Sequence, residues 1–418
     1  MHRFIKRLLA WRWLPDPPGR ALLGPAPLGC VLLGPAPLRR AWALVPAGLS
    51  VWLVWLVLLV LLLGLYPGPI HAGPAKHAAP VRSVVHNNTE PDAVTYGRRA
   101  DAVALATTLA EQHGLDIDWA RAQIAQARYL PSVARLIMPP KAGSAKNWAA
   151  YRARFIEPER IRAGVAFWTA HRAWLAAAEQ RYGVPAAVVV GIIGVETFYG
   201  RVTGNTRVLD ALATLSLDFP SGRSDRSAFF RDELGQFLKL AQAQGVAASS
   251  IKGSFAGAIG LGQFMPGSIN RFAVDFDGDG HIDMAASVPD VIGSVAHYLA
   301  EHGWQRGQPT HYGVKQPVDS SERATLLVPD ILPRFTPAQM AARGAVLDDA
   351  ALAHAGPLAL VELQNGDAAP SYVAGTQNFY ALTRYNWSSY YALAVIELGQ
   401  AVATAHSALT STPAATRH

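Results

Sequence analysis

The segment GVPAAVVVGIIGVETFYG, residues 183–200, combines a long apolar run with a single acidic residue. Its apolar side chains would cover every face of a helix, which predicts a buried helix with proline in its first turn. Glu196 is the only acid between residues 183 and 205. Burial and the negative end of the helix dipole both disfavour a carboxylate, so we expect a raised pKa for Glu196, which suits a general acid. The alternative is a glutamate that emerges at the helix end and pairs with Arg201.

A second unusual segment, GSFAGAIGLGQFMPG at residues 253–267, contains no charge and five glycines. Glycine at this density lets the backbone approach a ligand closely, and Gln263 and Met265 add an amide and a thioether. A phosphate-binding loop is excluded because no Lys followed by Ser or Thr stands in the required position. Two interpretations stay open, the wall of a sugar-binding groove and a glycine-rich contact between helices.

Residues 275–283, DFDGDGHID, match the beginning of a calcium-binding loop. Acids occupy positions 1, 3, 5 and 9, glycine occupies position 6, and His281 would offer its backbone carbonyl. Position 12 is alanine where such loops carry glutamate, and the nearest later acid is Asp290. The pattern favours a bound structural Ca²⁺ over a solvated acidic turn.

The remaining segments predict a mainly α (α+β) body over residues 92–405. Apolar residues recur at helical spacing in residues 92–180 and again in 376–405, and residues 183–303 are also mostly helical. Residues 309–374 contain more proline and short apolar runs, such as Thr325–Val328 and Leu358–Leu363, which predicts a small strand-containing insert. Residues 406–418 form a tail.

The positive charge of the chain lies at its N-terminus. Residues 1–65 hold seven basic side chains and one acidic side chain, a net of +6 out of +7 for the whole chain. The body contains no Lys/Arg-rich run of the kind that follows a phosphate backbone, so nucleic acid is not expected as a partner. The only cysteine, Cys30, excludes an intrachain disulfide.

Residues 41–65 carry no charge and are long enough to cross a bilayer as a helix. Paired arginines just before them would keep residues 1–40, a basic and Pro-rich leader, in the cytoplasm. Residues 66–91 are rich in Pro, Gly and Ala and predict a linker that holds the body in the periplasm, anchored to the inner membrane. A signal peptide cleaved near Ile70–Ala72 is the alternative.

Taken together, the Gly-Val-Glu-Thr and Gly-Gln-Phe-Met-Pro motifs resemble those of the membrane-bound lytic murein transglycosylase B family of lysozyme-like lytic transglycosylases. The resemblance covers about Trp148 to Leu398. It implies a lysozyme-like helical core at about 183–303, with an additional helical subdomain and the small strand-containing insert. It also implies that Glu196 is the single catalytic acid. The positions that match residues lining the family's glycan groove are Tyr151, Arg226, Ser254, Gln263, Met265, Tyr298, Tyr385, Asn386 and Tyr391.

Two further matches are less complete. The family's basic pair is altered to SGRSDR at residues 221–226, where Arg226 is placed to keep one contact. The implied calcium ligands are Asp275, Asp277, Asp279, His281 and Asp290. The late aromatics around Tyr385 and Trp387 are also compatible with a place in the core, as aromatics at helical spacing usually are.

The implied function is cleavage of the β-1,4 bond between N-acetylmuramic acid and N-acetylglucosamine in peptidoglycan, with formation of 1,6-anhydromuramoyl ends. Most glycosidases use two carboxylates, but one acid suffices if the substrate's own groups complete the reaction, and no catalytic cofactor is expected. The expected protein is a monomer that acts on glycan strands in the envelope of a Gram-negative bacterium. The alternatives are a lysozyme-type hydrolase and a non-catalytic wall-binding scaffold.

Overall fold

The computed structural model describes residues 95–139 and 146–411. The predicted leader (1–40), membrane segment (41–65) and linker (66–91) lie outside the described residues, as do residues 412–418 of the predicted tail.

Most of the described residues are helical, as the sequence predicted. The helices are α1 Ala100–His113, α2 Ile117–Ala125, α3 Pro131–Leu136, α4 Trp148–Arg152, α5 Pro158–Tyr182, α6 Ala186–Thr197, α7 Val208–Leu217, α8 Ser227–Ala243, α9 Pro266–Phe272, α10 Val288–Glu301, α11 Ser320–Leu327, α12 Pro337–Ala342, α13 Asp349–Leu352, α14 Gln377–Tyr385 and α15 Ser389–Ser411. The strands are β1 Thr206–Arg207, β2 Lys252–Gly253, β3 His311–Lys315, β4 Val346–Leu347, β5 Ala359–Asn365 and β6 Ala368–Gly375.

Helix α6 is buried on nearly every face, as its uniformly apolar sequence predicted. Pro185 is its N-cap residue, so the proline precedes the first turn and does not lie within it. The backbones of α6 and α15 touch at two glycines. A Cβ added at Gly191 would lie 2.2 Å from the carbonyl oxygen of Val395, and one added at Gly399 would lie 2.1 Å from that of Ala187. Glycine at both positions therefore permits the two helices to cross in direct contact.

Helix α15 is apolar enough to resemble a membrane span. Among the described residues, Ser389–Thr410 alone are long and apolar enough to cross a bilayer, and 44% of the most apolar window is buried inside the protein. Leu393, Val395 and Leu398 on this helix belong to the main hydrophobic core. Its composition is therefore explained by packing along α6.

Residues 254–265 of the glycine-rich segment form an irregular turn between β2 and α9, so the interpretation as a helix–helix contact does not hold. Gly260 has a φ of +72°, and a Cβ there would lie 1.7 Å from the carbonyl oxygen of Met284. The Thr197 hydroxyl, at the end of α6, donates a hydrogen bond to the carbonyl of Leu261 at 2.9 Å. This bond ties the glycine-rich turn to the helix that carries Glu196.

The region predicted as an insert contains both strands and helices. Strands β3 to β6 form an antiparallel sheet in the order β4-β3-β6-β5. The interpretation of Thr325–Val328 as a strand is wrong, because residues up to Leu327 belong to α11. Asp319 explains the difference, since its side chain accepts hydrogen bonds from the first backbone N–H groups of that helix. The region has a small core of its own around Leu326 and Leu360, and its exact division from the main body stays a prediction.

Candidate active site

Glu196 lies on the last turn of α6 and is 5% exposed. The helix ends there because Phe198 and Tyr199 adopt left-handed backbone angles, with φ of 54° and 56°. The Tyr391 hydroxyl, on α15, donates a hydrogen bond to Glu196 Oε1 at 2.8 Å. Arg201 instead pairs with Glu159 at 2.6 Å, so it is not the structural partner that the alternative interpretation required. A buried carboxyl with a fixed hydroxyl donor is well placed for proton transfer.

Tyr151, on α4, lies close enough to Glu196 for the two side chains to interact electrostatically. Burial, and then the nearby Glu196, raise the pKa of Tyr151 above its usual range, so this residue stays a neutral phenol. Its ring packs 5.2 Å from that of Phe155 and 5.8 Å from that of Tyr390, measured between centroids. Aromatic side chains therefore surround this part of the site.

A buried cation holds the turn that follows Glu196. Arg160, on α5, is 7% exposed, and its Nη1 donates to the carbonyl of Gly194 at 2.7 Å. Two guanidinium groups pack on the Phe198 ring, that of Arg160 at 4.4 Å and that of Arg201 at 4.5 Å from its centroid. These contacts stabilise a backbone conformation that is costly for a residue with a side chain. Nothing in the spacing of α5 sets Arg160 apart from its other arginines, so the sequence did not predict this contact.

A cavity of about 310 Å³, named here the Tyr385 cavity, lies next to the carboxyl site. Tyr385 connects the two, because it lines the cavity and its ring stacks on that of Tyr391 at 6.3 Å. The predicted groove residues on its walls are Arg226, Met265, Tyr298, Tyr385 and Asn386. Glu233, Arg271 and Arg384 also line it and were not singled out from the sequence, and Trp387, which the sequence left compatible with the core, lines it as well. The cavity thus combines aromatic, cationic and amide groups, with one carboxyl.

Two predicted groove residues shape the glycine-rich turn and do not line the cavity. Ser254 Oγ accepts a hydrogen bond from the backbone N–H of Ala258 at 3.0 Å. Gln263 is fully buried, and its Nε2 donates to the carbonyls of Thr203 and Gly260 at 3.0 and 2.8 Å. Their observed contacts therefore serve to fix the backbone of the turn beside Tyr385, whose hydroxyl donates to the carbonyl of Gly262.

The acidic loop brings three of the five predicted metal ligands together. One carboxylate oxygen from each of Asp275, Asp277 and Asp279 lies within 4.8 Å of the others. A hydrogen bond from the backbone N–H of Gly280 contributes most to lowering the pKa of Asp275. Three converging carboxylates on an exposed loop are hard oxygen donors of the kind that calcium prefers, so the residues fit that ion.

The other two predicted ligands are placed differently. Asp290 is 1% exposed, and its two oxygens accept backbone hydrogen bonds from Phe276 and Asp283, both at 2.8 Å. Asp290 does not join the three-carboxylate group. Its carboxylate instead ties the two ends of the loop to α10 through these hydrogen bonds. His281 lies within the loop and is exposed, and only its backbone carbonyl was expected to bind the ion.

Together these features define a class of protein. A buried carboxyl at the end of a buried helix, beside a glycine-rich turn and an aromatic cavity, is typical of lysozyme-like enzymes that cleave glycans. The chain belongs to the transglycosylase SLT domain family, whose model matches residues 98–400.

Individual relatives agree with this assignment. The membrane-bound lytic murein transglycosylase B of Escherichia coli K12 is 40% identical over 318 residues, which are 74% of this chain and 84% of that protein. The structure of the E. coli lytic transglycosylase Slt35 in complex with calcium matches with a TM-score of 0.64 and 40% identity, over 74% of this chain and 94% of that one. The structure of SltB3 from Pseudomonas aeruginosa, in complex with NAG-anhNAM-pentapeptide, matches with a TM-score of 0.61 and 30% identity, over 72% of this chain and 78% of that one.

Proposed function

We propose that this chain is a peptidoglycan lytic transglycosylase, with Glu196 as its single catalytic acid and base. It cleaves the β-1,4 bond between N-acetylmuramic acid and N-acetylglucosamine and leaves 1,6-anhydromuramoyl ends. The observation that carries the proposal is the buried carboxyl of Glu196, which Tyr391 holds beside the Tyr385 cavity. Relatives named lytic transglycosylases, one of them bound to NAG-anhNAM-pentapeptide, support the same reaction.

The chemistry needs two proton transfers, and one carboxyl group serves both. Glu196, in its acid form, gives its proton to the glycosidic oxygen as the bond to the muramoyl C1 breaks. The substrate's 2-acetamido group stabilises the positive charge at C1. The 6-hydroxyl oxygen of the same sugar then bonds to C1, and the proton of that hydroxyl passes to the Glu196 carboxylate. The acid is regenerated and no water is consumed, so a second catalytic carboxylate is not required.

The predicted groove residues have two roles in this proposal. Arg226, Met265, Tyr298, Tyr385 and Asn386 contact the glycan from the walls of the Tyr385 cavity, while Tyr151 and Tyr391 act next to the carboxyl. Ser254 and Gln263 act by shaping the glycine-rich turn.

A gel containing embedded murein tests whether the protein is an enzyme. We expect the refolded chain to clear the gel at its own position, because the described body carries both the acid and the cavity. A chain that binds murein without clearing it would be the wall-binding scaffold, and the proposal would be wrong. The hydrolase alternative also clears the gel and is separated by its products, as described in the Discussion.

We also propose that the acidic loop binds a structural Ca²⁺ through Asp275, Asp277 and Asp279, with the His281 carbonyl as a further ligand. Support comes from the convergence of the three carboxylates and from the calcium complex of Slt35. The ion would pin the loop, while Asp290 anchors the loop to α10 through its backbone contacts. Asp290 as a closing ligand stays a prediction.

Millimolar calcium is expected to stabilise the folded protein by about 1–2 kcal/mol if the site has submillimolar affinity. The melting temperature should then rise by a few degrees. Asp277→Asn should abolish the shift, because it removes one of three converging carboxylates. Asp118→Asn, on the exposed surface of α2, should keep the shift. Differential scanning calorimetry with and without Ca²⁺ measures both, and a wild-type melting temperature that calcium does not change would rule out the site.

We further propose that the protein acts as a monomer in the periplasm, anchored to the inner membrane through residues 41–65. The name of the membrane-bound E. coli relative supports the anchor. Fractionation of cells that produce the full chain should place it in the membrane pellet, from which high salt does not release it. Recovery of the whole product in the soluble periplasmic fraction would favour cleavage near Ile70–Ala72.

A further inference from the structure

Trp387 is an unusually exposed aromatic on the wall of the Tyr385 cavity. It lies in the short connection between α14 and α15 and is 37% exposed. A tryptophan that only fills the core would bury its ring, and most of the large apolar side chains in the described body do so. An indole left at the edge of a cavity is better explained by a ligand that covers it.

Neighbouring side chains fix the orientation of the indole. The guanidinium of Arg384, at the end of α14, lies 5.3 Å from the centroid of the Trp387 ring. The Tyr380 ring stands nearly perpendicular to it, at 6.1 Å and 85°. The backbone N–H of Ser388 donates to the carbonyl of Asn386 at 2.6 Å and tightens the connection. The ring is therefore held in place before any ligand arrives, which lowers the entropic cost of binding.

The groups around Trp387 match the chemistry of an N-acetylated sugar. An indole ring packs against the C–H face of a pyranose, while the Asn386 amide and the Arg384 guanidinium can bond hydroxyl and acetamido oxygens. All three residues line the same cavity. This combination of an apolar platform with a few convergent polar groups is characteristic of small-ligand sites.

Trp387 is also separated from the reacting carboxyl. Glu196 accepts a hydrogen bond from Tyr391, and the Tyr391 ring stacks on that of Tyr385. Of these three residues, only Tyr385 lines the cavity that Trp387 also lines. Since neither Glu196 nor Tyr391 lines this cavity, a sugar on the indole would neighbour the sugar whose bond Glu196 breaks.

We propose that Trp387 and Arg384 form an additional saccharide-binding platform, which holds an N-acetylated sugar of the glycan strand at a distance from the scissile bond. The proposal rests on the function proposed above. Its consequence is a preference for longer strands, since a short fragment cannot occupy the platform and the carboxyl site together.

Kinetics on glycan strands of defined length test the platform. Trp387→Ala and Trp387→Leu should each raise KM on long strands about tenfold with little change in kcat, because remote contacts contribute to binding before and during the reaction. Trp387→Tyr keeps an aromatic ring and should stay within about twofold of wild type. Fragments too short to reach the platform should be cleaved equally by all four proteins. Trp168→Ala, which removes a half-buried indole on α5 that does not line the cavity, is the control.

Binding measurements separate this proposal from the proposed reaction. In a Glu196→Gln background, calorimetry should show about tenfold weaker binding of long strands when Trp387→Ala or Arg384→Met is added. Unchanged affinity and unchanged KM, or an equal loss with Trp387→Tyr, would overturn the platform even if the wild-type protein forms anhydro products. A wild-type protein that binds strands in a Trp387-dependent way without cleaving them would overturn the proposed reaction and leave the platform standing.

Discussion

Glu196→Gln is expected to lower the turnover of peptidoglycan by about 10²- to 10⁴-fold and to leave glycan binding intact. Glutamine fills nearly the same volume, and its amide oxygen can still accept the hydrogen bond from Tyr391. It has no proton to give to the glycosidic oxygen and cannot take one from the muramoyl 6-hydroxyl. The two proton transfers of the proposed reaction are therefore lost with one side chain.

Release of soluble fragments from dye-labelled peptidoglycan measures this loss, and calorimetry with glycan fragments measures the retained binding. Glu111→Gln, on the exposed face of α1, is the matched control and should keep full activity. Turnover within about tenfold of wild type in a folded Glu196→Gln protein would mean that another group supplies the proton.

Gly191→Ala is expected to cause a large loss of stability through the contact between α6 and α15. The added Cβ would lie 2.2 Å from the carbonyl oxygen of Val395, and backbone atoms of α15 cannot move aside as a flexible side chain would. Forcing extra atoms into a packed core costs about 1–3 kcal/mol, which corresponds in a body of this size to a melting temperature lower by roughly 2–5 °C. Since α15 carries Tyr391, the hydrogen bond to Glu196 should weaken as the helices separate.

Thermal unfolding followed by circular dichroism measures the effect, with Gly313→Ala as its control. Gly313 lies on β3, where a new Cβ meets nothing within 4 Å. The control should be neutral or slightly stabilising, because alanine has less conformational freedom in the unfolded chain. Equal melting temperatures for the two variants would show that α6 and α15 are not in the close contact described.

The sequence predicted the helical body because its strongest signals are local. Helix α6 follows from an uninterrupted apolar run, and Glu196 stands out as its single acid. The contact that completes the site is not local, since Tyr391 lies 195 positions further along the chain. It depends on the glycine contacts between α6 and α15, and a Gly at position 399 does not by itself indicate which helix it will touch.

Other differences have equally specific causes. Gln263 belongs to a motif typical of a sugar groove. Its Nε2 nevertheless donates to two backbone carbonyls, those of Thr203 and Gly260. The apolar run ending at Val328 suggested a strand, but the Asp319 cap favours a helix. Arg160 was missed and Trp387 was counted among the core candidates, because their significance comes from the side chains packed around them and not from spacing along the sequence.

The chemical form of the new chain ends tests the central claim most directly. Purified peptidoglycan is digested in water enriched in heavy oxygen, and the fragments are analysed by mass spectrometry. If the muramoyl 6-hydroxyl closes the ring and passes its proton to Glu196, every new muramoyl end is a 1,6-anhydro sugar without the heavy isotope. Reducing ends that contain heavy oxygen would mean that water attacks the muramoyl carbon, and the protein would then be a hydrolase.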